Sequence, residues 1–139
     1  MRSYVPEFEM ATPPDLAAAL RLLAEGARPF AGGTDLMVEL EAGTLRGRRF
    51  VNLWPLAELR GITAAADWLR IGALTTYTDL LTSSAVRREY PLLAAASHET
   101  GSIAIQNRGT LGGNLANASP AADSAPVLLV YDAEVELRS

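Results

Sequence analysis

Two segments of the chain combine glycines with hydroxyl, amide and carboxylate side chains in a pattern that suits a phosphate-containing ligand. The first, residues 30–36, reads Phe-Ala-Gly-Gly-Thr-Asp-Leu. A short apolar run leads its double glycine into a predicted helix start, where glycine permits a tight turn and leaves the backbone N–H groups uncovered. Such groups at a helix N-terminus bind phosphate oxygens, and the Thr34 hydroxyl would add a donor. The alternative is an ordinary turn in which Thr34 or Asp35 only caps the helix.

The second segment, residues 108–123, contains three glycines, two asparagines, a threonine and a serine. A plain connector of this length does not need so many turn and amide residues. The amides and hydroxyls suit a polar, extended ligand. Asp123 could accept hydrogen bonds from ligand hydroxyls or simply complement a helix dipole, and the whole segment could be an ordered surface loop. Glycine pairs in two lobes would form a clamp for a dinucleotide with a central pyrophosphate.

Composition excludes several other functions. A net charge of -4, from 12 basic and 16 acidic residues, argues against a nucleic-acid-binding surface. The chain has no cysteine and one histidine, which excludes thiolate catalysis, iron–sulfur ligation and a multi-histidine metal site. No pairing of a nucleophile with a base, or of two carboxylates, predicts a catalytic residue. Neither a membrane-spanning apolar run nor a secretory leader is evident, so we expect a cytoplasmic location.

The first third of the chain alternates between strand and helix signals. Strands are predicted at residues 8–10, 29–31 and 50–53, and a helix at residues 35–42. Another helix is predicted to begin after Thr12, with Pro13 in its first position, and to stop at Gly26. This order predicts a small parallel sheet with crossover helices.

The remainder of the chain differs in character. A hairpin is predicted over residues 62–72, and a helix capped by Thr78 is predicted through Leu81. Further helices are predicted over 91–99 and 120–129 and a strand over 133–137, whereas residues 107–117 show no periodicity. Trp54 and Trp68 are expected to be core or inter-lobe anchors. The predicted fold class is α+β, built from two small α/β lobes: a parallel βαβ lobe over residues 1–54 and a mixed or antiparallel lobe over residues 55–139.

Together the two motifs resemble the FAD-binding domain of molybdopterin dehydrogenases. That family includes the flavin-carrying medium subunits of xanthine dehydrogenase and aerobic carbon monoxide dehydrogenase. The resemblance rests on Ala-Gly-Gly-Thr-Asp-Leu at residues 31–36 and on Thr-Leu-Gly-Gly-Asn-Leu-Ala-Asn-Ala-Ser-Pro-Ala-Ala-Asp at residues 110–123. It extends over nearly the whole chain, including Ile-Gly-Ala-Leu-Thr-Thr at residues 71–76. It implies a PCMH-type FAD-binding fold with FAD held between two lobes.

The resemblance also implies which residues contact FAD. The first motif would wrap the pyrophosphate, the second would contact the phosphate and flavin portions, and Asp123 would hold the ribityl region. The predicted cofactor-binding residues are Phe30, Ala31, Gly32, Gly33, Thr34, Asp35, Leu36, Thr110, Gly113, Asn114, Asn117 and Asp123.

By the same resemblance, a large partner subunit carries the molybdopterin cofactor and a small one carries iron–sulfur clusters. The flavin would relay electrons from those clusters to an acceptor, which agrees with the lack of cysteine in this chain. Relatives continue past the equivalent of Ser139, so the second lobe is expected to be incomplete. One alternative is therefore a truncated assembly module that docks on partner subunits without stably holding FAD. Another is a binding protein for a different phosphate ligand.

Overall fold

A three-stranded parallel sheet forms the N-terminal third of the computed structural model, which describes residues 7–139. The strands lie in the order β1-β3-β2, so the last strand in sequence is central. The elements are β1 (Glu9–Ala11), α1 (Leu16–Ala24), β2 (Arg28–Phe30), α2 (Thr34–Glu41) and β3 (Arg49–Asn52). The predicted parallel arrangement with crossover helices is confirmed.

Helix α1 begins later than the sequence predicts. Asp15, not Thr12, is its N-cap, and the Asp15 carboxylate accepts a hydrogen bond from Ala18 N at 2.7 Å. The reason lies in the two consecutive prolines, because Pro14 disfavours a helical conformation in the preceding Pro13. At the other end, Gly26 adopts the expected left-handed conformation, with a φ of 89°.

The second half begins with an antiparallel hairpin of β4 (Ile62–Ala64) and β5 (Leu69–Ile71), as predicted. The expected strand at residues 133–137 is absent from the part of the chain that the structure describes. Alternation of apolar and polar residues forms a strand only beside a neighbouring strand. Here the segment is exposed, and Glu136 makes one 3.4 Å ion pair with Arg70 of β5.

A short 3-10 helix, Ala57–Leu59, precedes this hairpin. Six short α-helices complete the described chain: α3 (Tyr77–Thr82), α4 (Ser84–Glu89), α5 (Pro91–Glu99), α6 (Ile103–Gln106), α7 (Leu111–Asn117) and α8 (Ser124–Val130). Thr76, rather than within-helix Thr78, caps α3 through a capping box with Asp79. The segment predicted to lack periodicity contains a helix, α7, despite its two glycines. Within residues 7–139, no helix is long and apolar enough to cross a membrane.

Apolar side chains pack into two clusters. One contains Ala19, Ala27, Val51, Leu56 and Leu74, and the other contains Tyr77, Leu80, Val86 and Leu93. Leu56 and Leu74 pack with the N-terminal sheet although they follow Trp54 in the sequence. The division into residues 1–54 and 55–139 therefore stays a prediction.

Candidate functional site

The two glycine motifs line one cleft. Parallel strand β2 ends at Phe30, so the first motif lies at the carboxyl edge of the sheet, where ligands of open α/β sheets bind. The cleft has a volume of about 310 Å³ and is open to solvent. Its lining residues are Arg28, Pro29, Ala31, Gly32, Gly33, Thr34, Asp35, Leu36, Glu39, Leu53, Leu59, Ala73, Leu74, Gly112, Gly113, Ala116 and Asn117.

The N-terminus of α2 presents uncommitted backbone donors to this cleft. Gly33 is the N-cap, with a φ of 81° and no side-chain cap. The first bond of the helix runs from Met37 N to Gly33 O at 2.9 Å. Among the described residues, the N–H groups of Thr34, Asp35 and Leu36 have no hydrogen-bond partner. The capping alternative for Thr34 and Asp35 is therefore wrong, and the free donors suit an anion.

The second glycine motif differs, because protein groups already occupy its N–H groups. Leu111 N donates to Thr75 O at 3.0 Å, and Gly112 N donates to Ala73 O at 2.9 Å. Gly113 N donates to the Thr110 hydroxyl at 3.1 Å. These bonds explain why a glycine-rich segment is helical, since they satisfy the first turn of α7. The motif therefore contributes shape to the cleft, and its backbone donors are not available for a ligand.

Two glycines permit close approach between segments that are distant in the sequence. A Cβ on Gly32 would lie 1.7 Å from the carbonyl oxygen of Arg108, and a Cβ on Gly112 would lie 2.7 Å from that of Ala73. Neither position has room for a side chain. These contacts join the first motif to the second and the second motif to the segment after β5.

Side chains reinforce the contact between the motifs. The Asn117 amide donates to an Asp35 carboxylate oxygen at 3.1 Å, and Arg108 Nε donates to Gly32 O at 3.3 Å. The guanidinium carbons of Arg108 and Arg60 lie 3.9 and 4.2 Å from the centroid of the Trp54 ring. Trp54 therefore anchors the second motif beside the first, as expected. Trp68 is 52% exposed, so the expectation that it is an anchor is wrong.

Eight of the twelve predicted site residues line the cleft: Ala31, Gly32, Gly33, Thr34, Asp35, Leu36, Gly113 and Asn117. The other four lie beside it. The Phe30 ring lies under Gly33, where a Cβ would approach it to 2.8 Å. Thr110 is the buried cap of α7, and the Asn114 side-chain oxygen accepts a hydrogen bond from the Ser124 hydroxyl. Asp123 is exposed at the start of α8.

Some lining residues were not predicted. Ala73 and Leu74 belong to the segment at residues 71–76 that carries part of the family resemblance, so that signal could have found them. Ala116 lies one helical turn beyond Gly113. Arg28 and Glu39 form a 3.1 Å ion pair at the cleft, which no sequence signal indicated.

A buried tyrosine lies behind α7. Tyr77 is 2% exposed, and its hydroxyl has no hydrogen-bond partner within residues 7–139. Burial raises the pKa of Tyr77 above its ordinary value of 10.0, and the carboxylates of Asp35 and Asp123 act in the same direction. The hydroxyls of Ser124 and Thr100 oppose this pKa shift, although neither has hydrogen-bond geometry toward the phenol.

Residues 6–139 match a family described as the FAD binding domain in molybdopterin dehydrogenase. The chain belongs to this family. The resemblance seen in the sequence is confirmed, and FAD is the cofactor that this resemblance implies.

Relatives of known function agree with this assignment. The FAD-binding subunit of xanthine dehydrogenase from Escherichia coli O157:H7 is 45% identical over 127 residues, which cover 89% of this chain and 44% of that protein. The carbon monoxide dehydrogenase medium chain of Hydrogenophaga pseudoflava is 30% identical over 135 residues, covering 95% and 47%. This chain thus spans less than half the length of these relatives.

Solved structures confirm the α+β fold class. Carbon monoxide dehydrogenase from Hydrogenophaga pseudoflava superposes with a TM-score of 0.83 at 31% identity, covering 88% of this chain and 44% of that one. Quinoline 2-oxidoreductase from Pseudomonas putida 86 gives a TM-score of 0.82 at 31% identity, with the same coverage.

Proposed function

We propose that the cleft binds the pyrophosphate of FAD, and that the bound flavin relays electrons within a molybdenum-containing dehydrogenase. The observation that carries this proposal is the set of three unpartnered N–H groups at the start of α2. They face a cleft that both glycine motifs line. Backbone donors at the positive end of a helix dipole stabilise a phosphate without a lysine or arginine.

The cleft fits the middle of a dinucleotide. Its volume of about 310 Å³ is at the lower end of ligand pockets, which span roughly 300–1,000 Å³. The pyrophosphate and adjacent ribose would occupy it, and the two ends of FAD would extend beyond. The Asp35 carboxylate only accepts hydrogen bonds, so this side chain suits a ribose hydroxyl better than a phosphate oxygen.

The proposed binding set keeps all twelve residues expected from the sequence but divides their roles. Gly33, Thr34 and Leu36 would surround the pyrophosphate with Ala31, Gly32 and Asp35, while Gly113 and Asn117 form the opposite wall. Phe30 and Thr110 would support the two motifs from behind. Asn114 and Asp123 would reach the parts of FAD that extend past the cleft. We also propose that FAD lies between two lobes formed by residues 1–54 and residues 55–139.

Bound FAD would supply the redox chemistry, because a flavin can accept single electrons from iron–sulfur clusters and pass them on to an acceptor. The residues of this chain bind and orient it, and none is proposed as a catalytic group. Related subunits carry names of multi-subunit dehydrogenases. We therefore propose a large molybdopterin-binding partner and a small iron–sulfur partner, with the assembly in the cytoplasm.

A fluorescence titration of the full chain with FAD tests the proposal. Ala116 is exposed and lines the cleft, so Ala116→Glu adds bulk and negative charge there without disturbing the core. Ala95→Glu makes the same change at an exposed position of α5, outside the cleft lining, and is the matched control. We expect saturable binding by the wild-type chain and by Ala95→Glu. Ala116→Glu should weaken binding at least about tenfold.

Equal affinity in both variants would place FAD elsewhere. A folded wild-type chain that does not bind FAD, but forms a complex with purified partner subunits, would support the assembly-module alternative. Displacement of FAD by inorganic pyrophosphate would further indicate that the phosphates occupy the site.

A further inference from the structure

Two structural supports hold the second glycine motif, and Tyr77 contacts the first of them, Gly109. The Tyr77 backbone N–H donates to Gly109 O at 3.3 Å, and its ring carbons lie 3.2 and 3.3 Å from the position of a Cβ on Gly109. Gly109 directly precedes Thr110, the cap of α7. The Tyr77 ring therefore limits where α7 can begin.

The second support is Ser124, which is 1% exposed. Its hydroxyl donates to the side-chain oxygen of Asn114. A serine hydroxyl has one donor and two acceptor positions, so Ser124 can still accept a hydrogen bond. Because the Asn114 oxygen is engaged inside the protein, the Asn114 NH₂ group remains available as a donor.

The Tyr77 hydroxyl is the one buried side-chain polar atom without a partner in the part of the chain that the structure describes. An unpartnered buried hydroxyl is unfavourable, and phenylalanine would fill the same space without that penalty. The Tyr77 hydroxyl lies near the Ser124 side chain, without hydrogen-bond geometry toward it, and the Ser124 donor is already committed to Asn114.

We propose that Tyr77 is a positioning residue for cofactor binding. With FAD bound, its hydroxyl donates to Ser124, and Ser124 holds Asn114 with its NH₂ group directed to the cofactor. This inference rests on the proposed function of the cleft. On this inference, the orientation of the Asn114 side chain depends on hydrogen bonds that link Tyr77, Ser124 and Asn114, and not on the position of α7 alone.

The test compares Tyr77→Phe with Ser124→Ala in the full chain. We expect each to raise the Kd for FAD about tenfold. Tyr77→Phe should leave the thermal midpoint of the FAD-free protein unchanged or higher, because it removes an unpartnered hydroxyl. The double variant should bind no more weakly than Ser124→Ala, since both changes break one chain of bonds.

Tyr131→Phe is the matched control. The Tyr131 hydroxyl accepts a hydrogen bond from Leu92 N at 3.1 Å, away from the cleft. Loss of this hydrogen bond should lower the thermal midpoint of the FAD-free protein and leave the Kd for FAD unchanged. A merely structural role for Tyr77 would give this same pattern.

An unchanged Kd in Tyr77→Phe, beside wild-type protein that binds FAD, would overturn the inference alone. Additive losses in the double variant would also overturn it. Failure of the wild-type chain itself to bind FAD would refute the proposed function and this inference with it, so the two failures are distinguishable.

Discussion

Asn117 near the end of α7 donates a hydrogen bond to Asp35 in the first turn of α2, at 3.1 Å and across 82 residues of sequence. The bond joins the two glycine motifs at the cleft that both line. Because both side chains are exposed, we expect the bond to add little to the stability of the fold. Its role is to hold the opposite walls of the cleft together.

Asn117→Ala should therefore reduce FAD affinity more than it reduces stability. A typical hydrogen bond contributes roughly 0.5–1.5 kcal/mol. Because this bond is exposed, the free energy of unfolding should fall by an amount near the lower end of that range. The Kd for FAD should rise several-fold. Asn107→Ala is the control, since it breaks an exposed 2.6 Å bond with Thr78 outside the cleft. Equal effects of both variants on Kd would refute the role of the link.

Gly32→Ala should be strongly destabilising, because its Cβ would lie 1.7 Å from the carbonyl oxygen of Arg108. This clash is relieved only if the two backbone segments separate, so we expect the free energy of unfolding to fall by about 3 kcal/mol or more. Urea unfolding measures this free energy. Gly43→Ala is the control: its φ of 70° costs an alanine roughly 1–2 kcal/mol, but its Cβ meets open space. A similar loss in both would contradict the close approach.

Trp54→Leu should weaken the contact between the motifs. It removes the ring over which Arg60 and Arg108 lie, at a cost of roughly 0.5–2 kcal/mol for each cation–π contact. Chemical unfolding provides the measurement. Trp68→Leu, at a 52% exposed site of the hairpin, should change the free energy of unfolding little. A larger effect at Trp68 would contradict the assignment of Trp54 as the anchor.

The pKa of Tyr77 predicts an alkaline loss of stability. Burial raises this pKa above 10.0 in the folded chain, so the folded state holds the phenol proton more tightly than the unfolded state. The resulting stability is fully present below about pH 10 and declines as the pH rises through the folded-state pKa. We expect unfolding free energies measured from about pH 9 to about pH 11 to fall less steeply in Tyr77→Phe. Parallel curves for the two proteins would contradict this.

Local patterns predict much of this fold. Gly26 ends α1 and Gly33 begins α2 at the expected places, because positive-φ positions favour glycine strongly enough to be read locally. The parallel sheet follows from short apolar strands that alternate with helices. Helix starts were less predictable where several cap residues compete: Asp15 and Thr76 cap α1 and α3 in place of Thr12 and Thr78.

The sequence by itself determined the order of strands and helices in the N-terminal sheet, the positions of the glycine motifs and the family. Tertiary structure alone decided how those motifs differ. Glycines disfavour a helix, yet α7 forms because Thr75 and Ala73 accept hydrogen bonds from its first two N–H groups. Those acceptors lie more than 30 residues away, so no local pattern contains them. These contacts occupy the first donors of α7, whereas those of α2 stay free for an anion because its N-cap, Gly33, has no side chain.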